Sequence, residues 1–388
     1  MASISPGELD KGTFVARVWR PDREGPSVCA LREAAVIDIT CRQVPTMRDL
    51  LELPDPVAFL EGAVDKGESL GTLEAIAASS LEADNDSAQL HLLAPNDLQA
   101  VKACGVTFAK SMIERVIEER AAGDPTKAAA IRERCVAIVG DSLRDLEAGS
   151  EEAAKVKAAL IEEDLWSPYL EVGIGPDAEV FSKCQPLSSV GWGARVGLHP
   201  ISTWNNPEPE IVLAVNSRAE VKGAALGNDV NLRDIEGRSA LLLGKAKDNN
   251  ASCSIGPFIR LFDAGYSLDD VRQADLDLTV TGEDGYVLNG KSSMREISRD
   301  PLDLVAQTCG SHHQYPDGFM LFMGTLFAPT EDRDHPGQGF THKLGDVVTI
   351  ANAQLGSLVN RVALSTDCRP WTFGAADLMR NLAARGLL

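Results

Sequence analysis

Residues 205–216 read NNPEPEIVLAVN, and the fold prediction begins from this stretch. The apolar, β-branched run from Pro209 to Val215 predicts a strand. Because side chains two residues apart on a strand point to the same face, Glu208 and Glu210 are expected to project side by side. Two carboxylates held this close repel each other unless a cation lies between them. Spacing alone leaves two interpretations, a divalent metal site and a solvated edge strand.

Two further charged residues follow in the chain. Asp229 lies in LGNDVNLRD and would complete a set of three carboxylates, which is a ligand set that Mg²⁺ and Mn²⁺ prefer. Lys245 lies in LLLGKAKD, and an ammonium beside such a site can hold a substrate carboxylate or the negative charge that develops during reaction. Lys247, two residues further on, is interpreted as a surface lysine.

Composition excludes several functional classes. The chain has 388 residues, with 57 acidic against 37 basic side chains and a net charge of −20, which disfavours nucleic-acid and membrane partners. The N-terminus lacks the apolar segment of a secretory signal, and no apolar run approaches the length of a membrane span. The 8 cysteines form no Cys-x-x-Cys pair and predict reduced thiols in a cytoplasmic protein.

The length and the turn residues near Pro95 predict a small N-terminal α/β domain (1–95) and a catalytic domain (96–388). Residues 111–165 are rich in Ala, Glu, Arg and Lys, and predict a helical insertion of three helices. Short strands separated by Gly, Pro, Asn and Asp turns follow to about Val362. This pattern predicts an α+β fold, mostly β, with a mixed or antiparallel sheet core.

Ordered motifs across about Pro95 to Val362 resemble the fumarylacetoacetate hydrolase superfamily. The resemblance implies a mixed β-sheet roll or barrel core of the C-terminal type and a homodimer or homotetramer. It also implies Mg²⁺, with Mn²⁺ as an alternative, held by Glu208, Glu210 and Asp229 and chelated by a small-molecule 2-oxo acid substrate. The motifs are Glu208–Glu210, Asn228–Asp234, Gly244–Asp248, Gly256–Pro257, Pro316–Gly318, Met323–Thr325, Leu344–Val348 and Gly356–Asn360.

The resemblance also suggests residues that contact the substrate. Thr325 resembles the family's hydroxyl that contacts the substrate carboxylate, although an ordinary strand threonine is the alternative. Arg233 either clamps a carboxylate or pairs with Asp234 or a glutamate as a structural residue. The adjacent His312 and His313 would face opposite ways on a strand, so a turn or core role is favoured for them.

One departure from the family pattern bears on the reaction. Hydrolytic members carry a His–Glu pair that activates water; here Glu114 falls on the glutamate, but Ser111 stands at the histidine position. A hydroxyl cannot replace an imidazole base near neutral pH. With the helical insertion and a short hairpin between Glu210 and Asp229, the chain resembles the branch that dehydrates 2-keto-3-deoxy sugar acids.

This branch implies conversion of a 2-keto-3-deoxypentonate, such as the D-xylonate or arabinonate derivative, to 2-oxoglutarate semialdehyde. Glu114, with Ser111, is expected to transfer protons around C3 and C4, and Lys245 to stabilise negative charge or share the base role. Two alternatives stay open: a metal-dependent hydrolase of an acylpyruvate or diketo acid, and a non-catalytic 2-oxo-acid-binding homologue. The insertion is either a lid over the substrate or a fixed packing element.

Overall fold

A computed structural model describes most of the chain. Helices in the described part are α1 (Met47–Glu52), α2 (Pro56–Val64), α3 (Leu73–Ala83), α4 (Ala109–Ala121), α5 (Glu151–Glu162), α6 (Pro168–Ile174), α7 (Arg233–Glu236), α8 (Leu243–Lys247), α9 (Leu268–Arg272), α10 (Pro301–Thr308) and α11 (Ala375–Ala384). The described residues are 4–7, 9–122, 124, 126–128, 131, 146–162, 166–325, 327, 329, 331–336 and 339–388, without the side chains of 109–111, 113 and 118.

The strands form two sheets in this described part. The larger sheet has the order β4-β3-β2-β1-β11-β10-β9-β14-β6-β7, with β5 paired to β1, and the smaller has the order β13-β12-β15-β16-β8. The strands are β1 (Phe14–Arg20), β2 (Gly25–Arg32), β3 (Ala35–Asp38), β4 (Glu68–Thr72), β5 (His91–Leu93), β6 (Ala100–Gly105), β7 (Glu179–Cys184), β8 (Arg195–Leu198), β9 (Pro209–Val215), β10 (Val221–Asp229), β11 (Cys253–Leu261), β12 (Asp275–Thr281), β13 (Val287–Ser293), β14 (Phe319–Phe322), β15 (Val347–Asn352) and β16 (Gly356–Leu364).

The predicted α+β class, with sheet dominant, is confirmed, but the predicted roll or barrel does not close. The larger sheet is almost entirely antiparallel, the exception being β14 against β6. Its two ends, β4 and β7, are not paired with each other in the described residues. The reason is that β1 pairs with β11, so the N-terminal strands extend the sheet on that side. In the described residues the sheet therefore keeps two separate edges, at β4 and at β7.

The predicted strand from Pro209 to Val215 is confirmed residue for residue as β9, which is buried along its whole length. It lies near the middle of the larger sheet, between β10 and β14. Its apolar side chains on the two faces belong to two different core clusters. A strand buried on both faces reads as a continuous apolar run, which is the pattern seen after Glu210.

The N-terminal segment shares this sheet. Phe14 on β1 pairs with Arg260 on β11, so the proposed boundary near residue 95 divides a continuous set of strands and stays a prediction. Helix α1 (Met47–Glu52) begins after Thr46, whose side chain caps it. Helix α3 begins at Leu73 and runs to Ala83.

Two helices of the predicted insertion, α4 and α5, are present; the predicted middle helix falls largely on residues outside the described ranges. Met112 and Ile117 on α4 belong to the same buried cluster as Leu170 and Ile174 on α6. This packing fixes the orientation of α4, whose Arg115 reaches Glu208 beside the start of β9. No helix among the described residues is long and apolar enough to cross a bilayer.

Candidate metal centre and catalytic cleft

Three carboxylates converge at the open end of the β9–β10 hairpin, where β9 begins and β10 ends. Glu208, Glu210 and Asp229 each offer an oxygen, and these oxygens lie within 4.8 Å of one another. All three side chains are buried. The antiparallel register pairs Glu210 with Gly227 and Pro209 with Asn228, which brings Asp229 beside Glu208. The predicted convergence of these acids is therefore confirmed, and their oxygens suit a hard divalent cation.

Three cationic side chains contact this triad. Lys247 Nζ lies 2.6 Å from Glu208 Oε2 and 3.0 Å from Asp229 Oδ2. Lys183 Nζ, on β7, lies 2.9 Å from Asp229 Oδ1. Arg115, on α4, donates from Nη2 to Glu208 Oε1 over 2.7 Å. Buried carboxylates need such partners, because leaving an ionised carboxylate unpaired in the protein interior is costly.

The electrostatic environment differs between the three acids. Burial, reinforced by repulsion from Asp229 and Glu208, raises the pKa of Glu210 well above its ordinary value. Burial also opposes ionisation of Asp229, but Lys183 and Lys247 outweigh it and lower the pKa of that carboxyl. The Gly324 backbone N–H donates to Glu210 Oε2 over 2.6 Å. A Cβ at Gly324, where φ is +88°, would overlap Thr107 Oγ1, so this approach requires glycine.

The structure exchanges the predicted positions of two lysines. Lys247, interpreted from the sequence as a surface residue, is 2% exposed and lies within the triad. Lys245, predicted to be the site lysine, is exposed, and its carbonyl accepts a hydrogen bond from Asn249. Both belong to the short helix α8, on which residues two apart point to nearly opposite sides. The interpretation of Lys247 was therefore wrong.

Glu114 and Arg233 both line the cleft and pair with each other. Arg233 Nη2 lies 3.4 Å from Glu114 Oε2, and its Nη1 donates to the Pro329 carbonyl over 3.0 Å. The Arg233 guanidinium stacks 4.4 Å from the centre of the Trp204 ring. Of the alternatives left open for Arg233, pairing with a glutamate is observed. Its neighbour Asp234 accepts hydrogen bonds from Ser202 and Thr203.

The remaining predicted site residues are placed as follows. Thr325 lines the cleft, and its Oγ1 accepts a hydrogen bond from the Phe327 N–H over 3.0 Å. Ser111 belongs to α4, but its side chain is outside the described part of the structure. The histidines His312 and His313 are exposed near a turn, away from the cleft-lining residues.

Sequence reasoning missed Glu179, Lys183 and Arg115. Glu179 lines the cleft from the start of β7, where it pairs with Gly105 on β6. Burial raises its pKa, against the attraction of Arg115 and Lys247. A Cβ on Gly105 would overlap Glu179 Oε2, so the absence of a side chain makes room for this carboxylate. No local pattern marks these residues, because each reaches the site from a distant segment.

The cleft carries an excess of negative charge. Among the described residues, six carboxylates line it, and four cationic side chains line it or contact the triad. The formal excess is thus two negative charges, which one divalent cation neutralises. The carboxylates are Glu114, Glu179, Glu208, Glu210, Asp229 and Glu236; the cations are Arg115, Lys183, Arg233 and Lys247.

Comparison with known protein families agrees with this geometry. Residues 200–363 match the family model of the fumarylacetoacetate (FAA) hydrolase C-terminal domain. The matched segment contains the triad, Lys247 and the Gly324–Thr325 turn. The predicted resemblance to this superfamily is confirmed.

Two curated relatives were found. A protein of Haloferax volcanii named probable 2-keto-3-deoxyxylonate dehydratase is 29% identical over 194 residues, which cover 50% of this chain and 63% of the relative. A 2-dehydro-3-deoxy-D-arabinonate dehydratase of Saccharolobus solfataricus is 26% identical over 184 residues, covering 47% and 58%. The chain thus spans roughly three fifths of the length of each curated relative that it matches.

Solved structures share the fold over most of the chain. An apo 2-keto-3-deoxy-D-arabinonate dehydratase aligns with TM-score 0.58 and 20% identity, covering 90% of this chain and 99% of that one. A structure of the enzyme of that name complexed with magnesium and 2,5-dioxopentanoate aligns with TM-score 0.57 and 20% identity, covering the same shares. A fumarylacetoacetate hydrolase of Exiguobacterium antarcticum gives TM-score 0.53 at 18% identity, covering 91% and 99%. At these identities the likeness establishes the fold.

Proposed function

We propose, from the premise that residues 200–363 form a fumarylacetoacetate hydrolase C-terminal domain, that this chain is a magnesium-dependent dehydratase of a 2-keto-3-deoxy sugar acid. The substrate class is a 2-keto-3-deoxypentonate, such as the D-xylonate or arabinonate derivative, and the product is 2-oxoglutarate semialdehyde. The observation that carries the proposal is the buried triad with Lys247 inside it. The names of the two curated relatives support the same reaction class.

The donor set fits a divalent cation. Glu208, Glu210 and Asp229 would hold it, and the cleft's excess of two negative charges matches its charge. All donors are oxygens, the preference of Mg²⁺ and also of Mn²⁺. When bound, the cation would polarise the carbonyl of a 2-oxo acid and make its C3 protons more acidic.

Lys247 and Thr325 are proposed to bind the acid end of the substrate. The Lys247 ammonium contacts both Glu208 and Asp229 and lines the cleft, so it can reach an anion bound there. It would hold the negative charge of the substrate and the charge that develops as C3 loses a proton. Thr325 offers its hydroxyl just beyond the end of β14, the strand that pairs with β9. Lys247 thereby takes the role that the sequence assigned to Lys245.

Glu179 and Glu114 are proposed to move protons. Both carboxylates line the cleft, on β7 and α4 respectively, so they can face two sides of one bound substrate. One would accept the C3 proton, and the other would give a proton to the 4-hydroxyl as the C4–O bond breaks and water leaves. Elimination leaves a C3–C4 double bond and a hydroxyl on C5. Loss of a C5 proton and return of a proton to C3 give the C4–C5 enol, which takes up a proton at C4 and becomes the aldehyde. Participation of Ser111 stays a prediction, and Arg233 would act chiefly by holding Glu114.

The test is a screen of substrates with magnesium. The protein is incubated with C5 and C6 2-keto-3-deoxy acids and, separately, with an acylpyruvate, and the products are identified by mass. A product lighter than the acid by one water supports the proposal. Release of pyruvate from the acylpyruvate would instead indicate the hydrolase, and no turnover of any compound would indicate a non-catalytic binding protein. A homodimer or homotetramer and a cytoplasmic location stay predictions from the sequence.

A further inference from the structure

The β9–β10 ladder extends one step beyond the carboxylates. Asn206 and Asn231 form a bridge in which each backbone N–H donates to the other's carbonyl over 3.1 Å. Asn206 is two residues before Glu208, and Asn231 is two residues after Asp229. Because alternate residues on extended backbone face the same side, each asparagine is expected on the same side as the carboxylate two residues away. Both asparagines line the same cleft as the triad. Two residues of extended chain place them about 7 Å further along.

Asn231 carries an acceptor that has no partner among the described residues. Its side chain is 1% exposed, and its Oδ1 accepts no hydrogen bond there. The Asn231 Nδ2 makes a long contact of 3.5 Å to Asn206 Oδ1. Buried polar atoms are nearly always paired, so an unpaired carbonyl oxygen in the wall of a cleft is a candidate contact for a ligand's donor.

The side chain of Asn205, the residue before Asn206, is fully paired. Asn205 is equally buried, but its Nδ2 donates to Ser202 Oγ and its Oδ1 accepts from the His342 N–H. Its side chain is not part of the cleft wall. Asn205 is therefore a buried asparagine next to the site whose side chain is already paired within the protein.

We propose that Asn231 determines specificity by accepting a hydrogen bond from the C5 hydroxyl of the substrate. This inference rests on the proposed dehydratase function. With the carboxylate and ketone at the triad, a five-carbon chain directed along the ladder brings its last hydroxyl toward Asn231. A 2-keto acid without that hydroxyl would leave Asn231 Oδ1 buried and unpaired, and sites built to bond a hydroxyl reject such analogues.

The test compares two substrates that differ only at C5. The first is 2-keto-3-deoxypentonate; the second is 2-keto-4-hydroxypentanoate, which keeps the 4-hydroxyl that is eliminated but has a methyl group at C5. The wild type should prefer the first by about tenfold or more in kcat/KM, the effect of one hydrogen bond. Asn231→Ala and Asn231→Ser should lose about tenfold on the first and stay within about twofold on the second.

The controls separate specificity from folding. Magnesium binding, measured by calorimetry, should be unchanged in both Asn231 variants. Asn205→Ala removes a neighbouring buried amide outside the cleft, so it should leave the ratio between the two substrates as in the wild type. An equal loss on both substrates in the Asn231 variants, or a wild type that dehydrates both equally well, would overturn the inference while the dehydratase function stands. Turnover of neither compound would overturn both.

Discussion

Lys247 Nζ lies 2.6 Å from Glu208 Oε2, and the side chains of this pair are 3% and 6% exposed. Removing one partner of so buried a pair leaves an uncompensated charge, which typically costs about 3–5 kcal/mol. Lys183 contacts the second oxygen of Asp229 and Arg115 the second oxygen of Glu208, so these two carboxylates keep a cationic partner even without Lys247. This arrangement allows the lysine to be tested without dismantling the site.

Replacing Lys247 should abolish most of the activity. We expect Lys247→Met to lower kcat by about 10²–10⁴-fold, because the ammonium that offsets the developing charge is lost. Lys245→Met is the matched control on the same helix, and its exposed side chain should be dispensable, with kcat within about twofold of the wild type. Steady-state kinetics with the C5 acid measures both, and comparable losses in the two variants would contradict the assignment.

Chelation of divalent metal should stop turnover, and added magnesium should restore it. If magnesium binds the folded triad only, as proposed, it should also stabilise the fold against heat, by about 2.7 kcal/mol at a concentration 100 times its Kd. Glu210→Gln should lose most of this stabilisation in a thermal melt. Glu283→Gln, at an exposed glutamate, should keep it in full. Full activity after exhaustive chelation would contradict a metal-dependent reaction.

Gly105→Ala should displace the Glu179 carboxylate, since the new Cβ would overlap its Oε2. If Glu179 transfers a proton, kcat should fall by at least about tenfold, while magnesium affinity stays near the wild-type value. Gly244→Ala, where a Cβ meets no atom within 4 Å, is the control and should be nearly neutral. A Gly105→Ala protein with wild-type kcat would argue against a role for Glu179.

Glu114→Gln should abolish dehydration and leave magnesium binding intact, because Glu114 is not one of the triad. Arg233→Met removes its observed partner and distinguishes two roles. If Glu114 transfers a proton, its loss should lower kcat far more than the loss of Arg233 does. Equal effects would indicate that Glu114 only holds Arg233 in place. Unchanged turnover in Glu114→Gln would show that Glu114 takes no part in the reaction.

The segment that follows Thr325 is anchored by a buried ion pair. Arg333 Nη1 lies 2.6 Å from Asp346 Oδ2, and Nη2 donates to Asp346 Oδ1 over 2.8 Å. Burial opposes ionisation of Asp346, but hydrogen bonds from Arg333 and His342 outweigh it and hold its pKa at about 2. A carboxyl with a lowered pKa stabilises the fold above its ordinary pKa, near 4, and loses that contribution as pH falls toward 2.

Arg333→Leu should therefore lower the free energy of unfolding by about 3–5 kcal/mol at pH 7, because Asp346 would remain buried without its cationic partner. The deficit should shrink between about pH 4 and pH 2, as Asp346 is protonated in both proteins. Denaturant unfolding at several pH values measures it. Arg380→Leu breaks an exposed pair with Asp377 and should cost less than about 1 kcal/mol at any pH.

Sequence was sufficient to predict the strand Pro209–Val215, the shared face of Glu208 and Glu210, and the convergence of these acids with Asp229. The shared face follows from the two-residue period of one strand, and the addition of Asp229 follows from the order of the family motifs along the chain. The same period also extends to Asn231, whose unpaired oxygen became visible only in the folded cleft.

Tertiary structure decided the rest of the site. Helix α8 has five residues, too few for an amphipathic pattern, so the sequence could not tell whether Lys245 or Lys247 faces inward; packing against the triad decided it. Glu179 and Arg115 come from segments distant in the chain, and their positions depend on β6–β7 pairing and on the packing of α4. The sheet stays open for the same reason, since the pairing of β1 with β11 joins residues far apart in sequence, which no local period encodes.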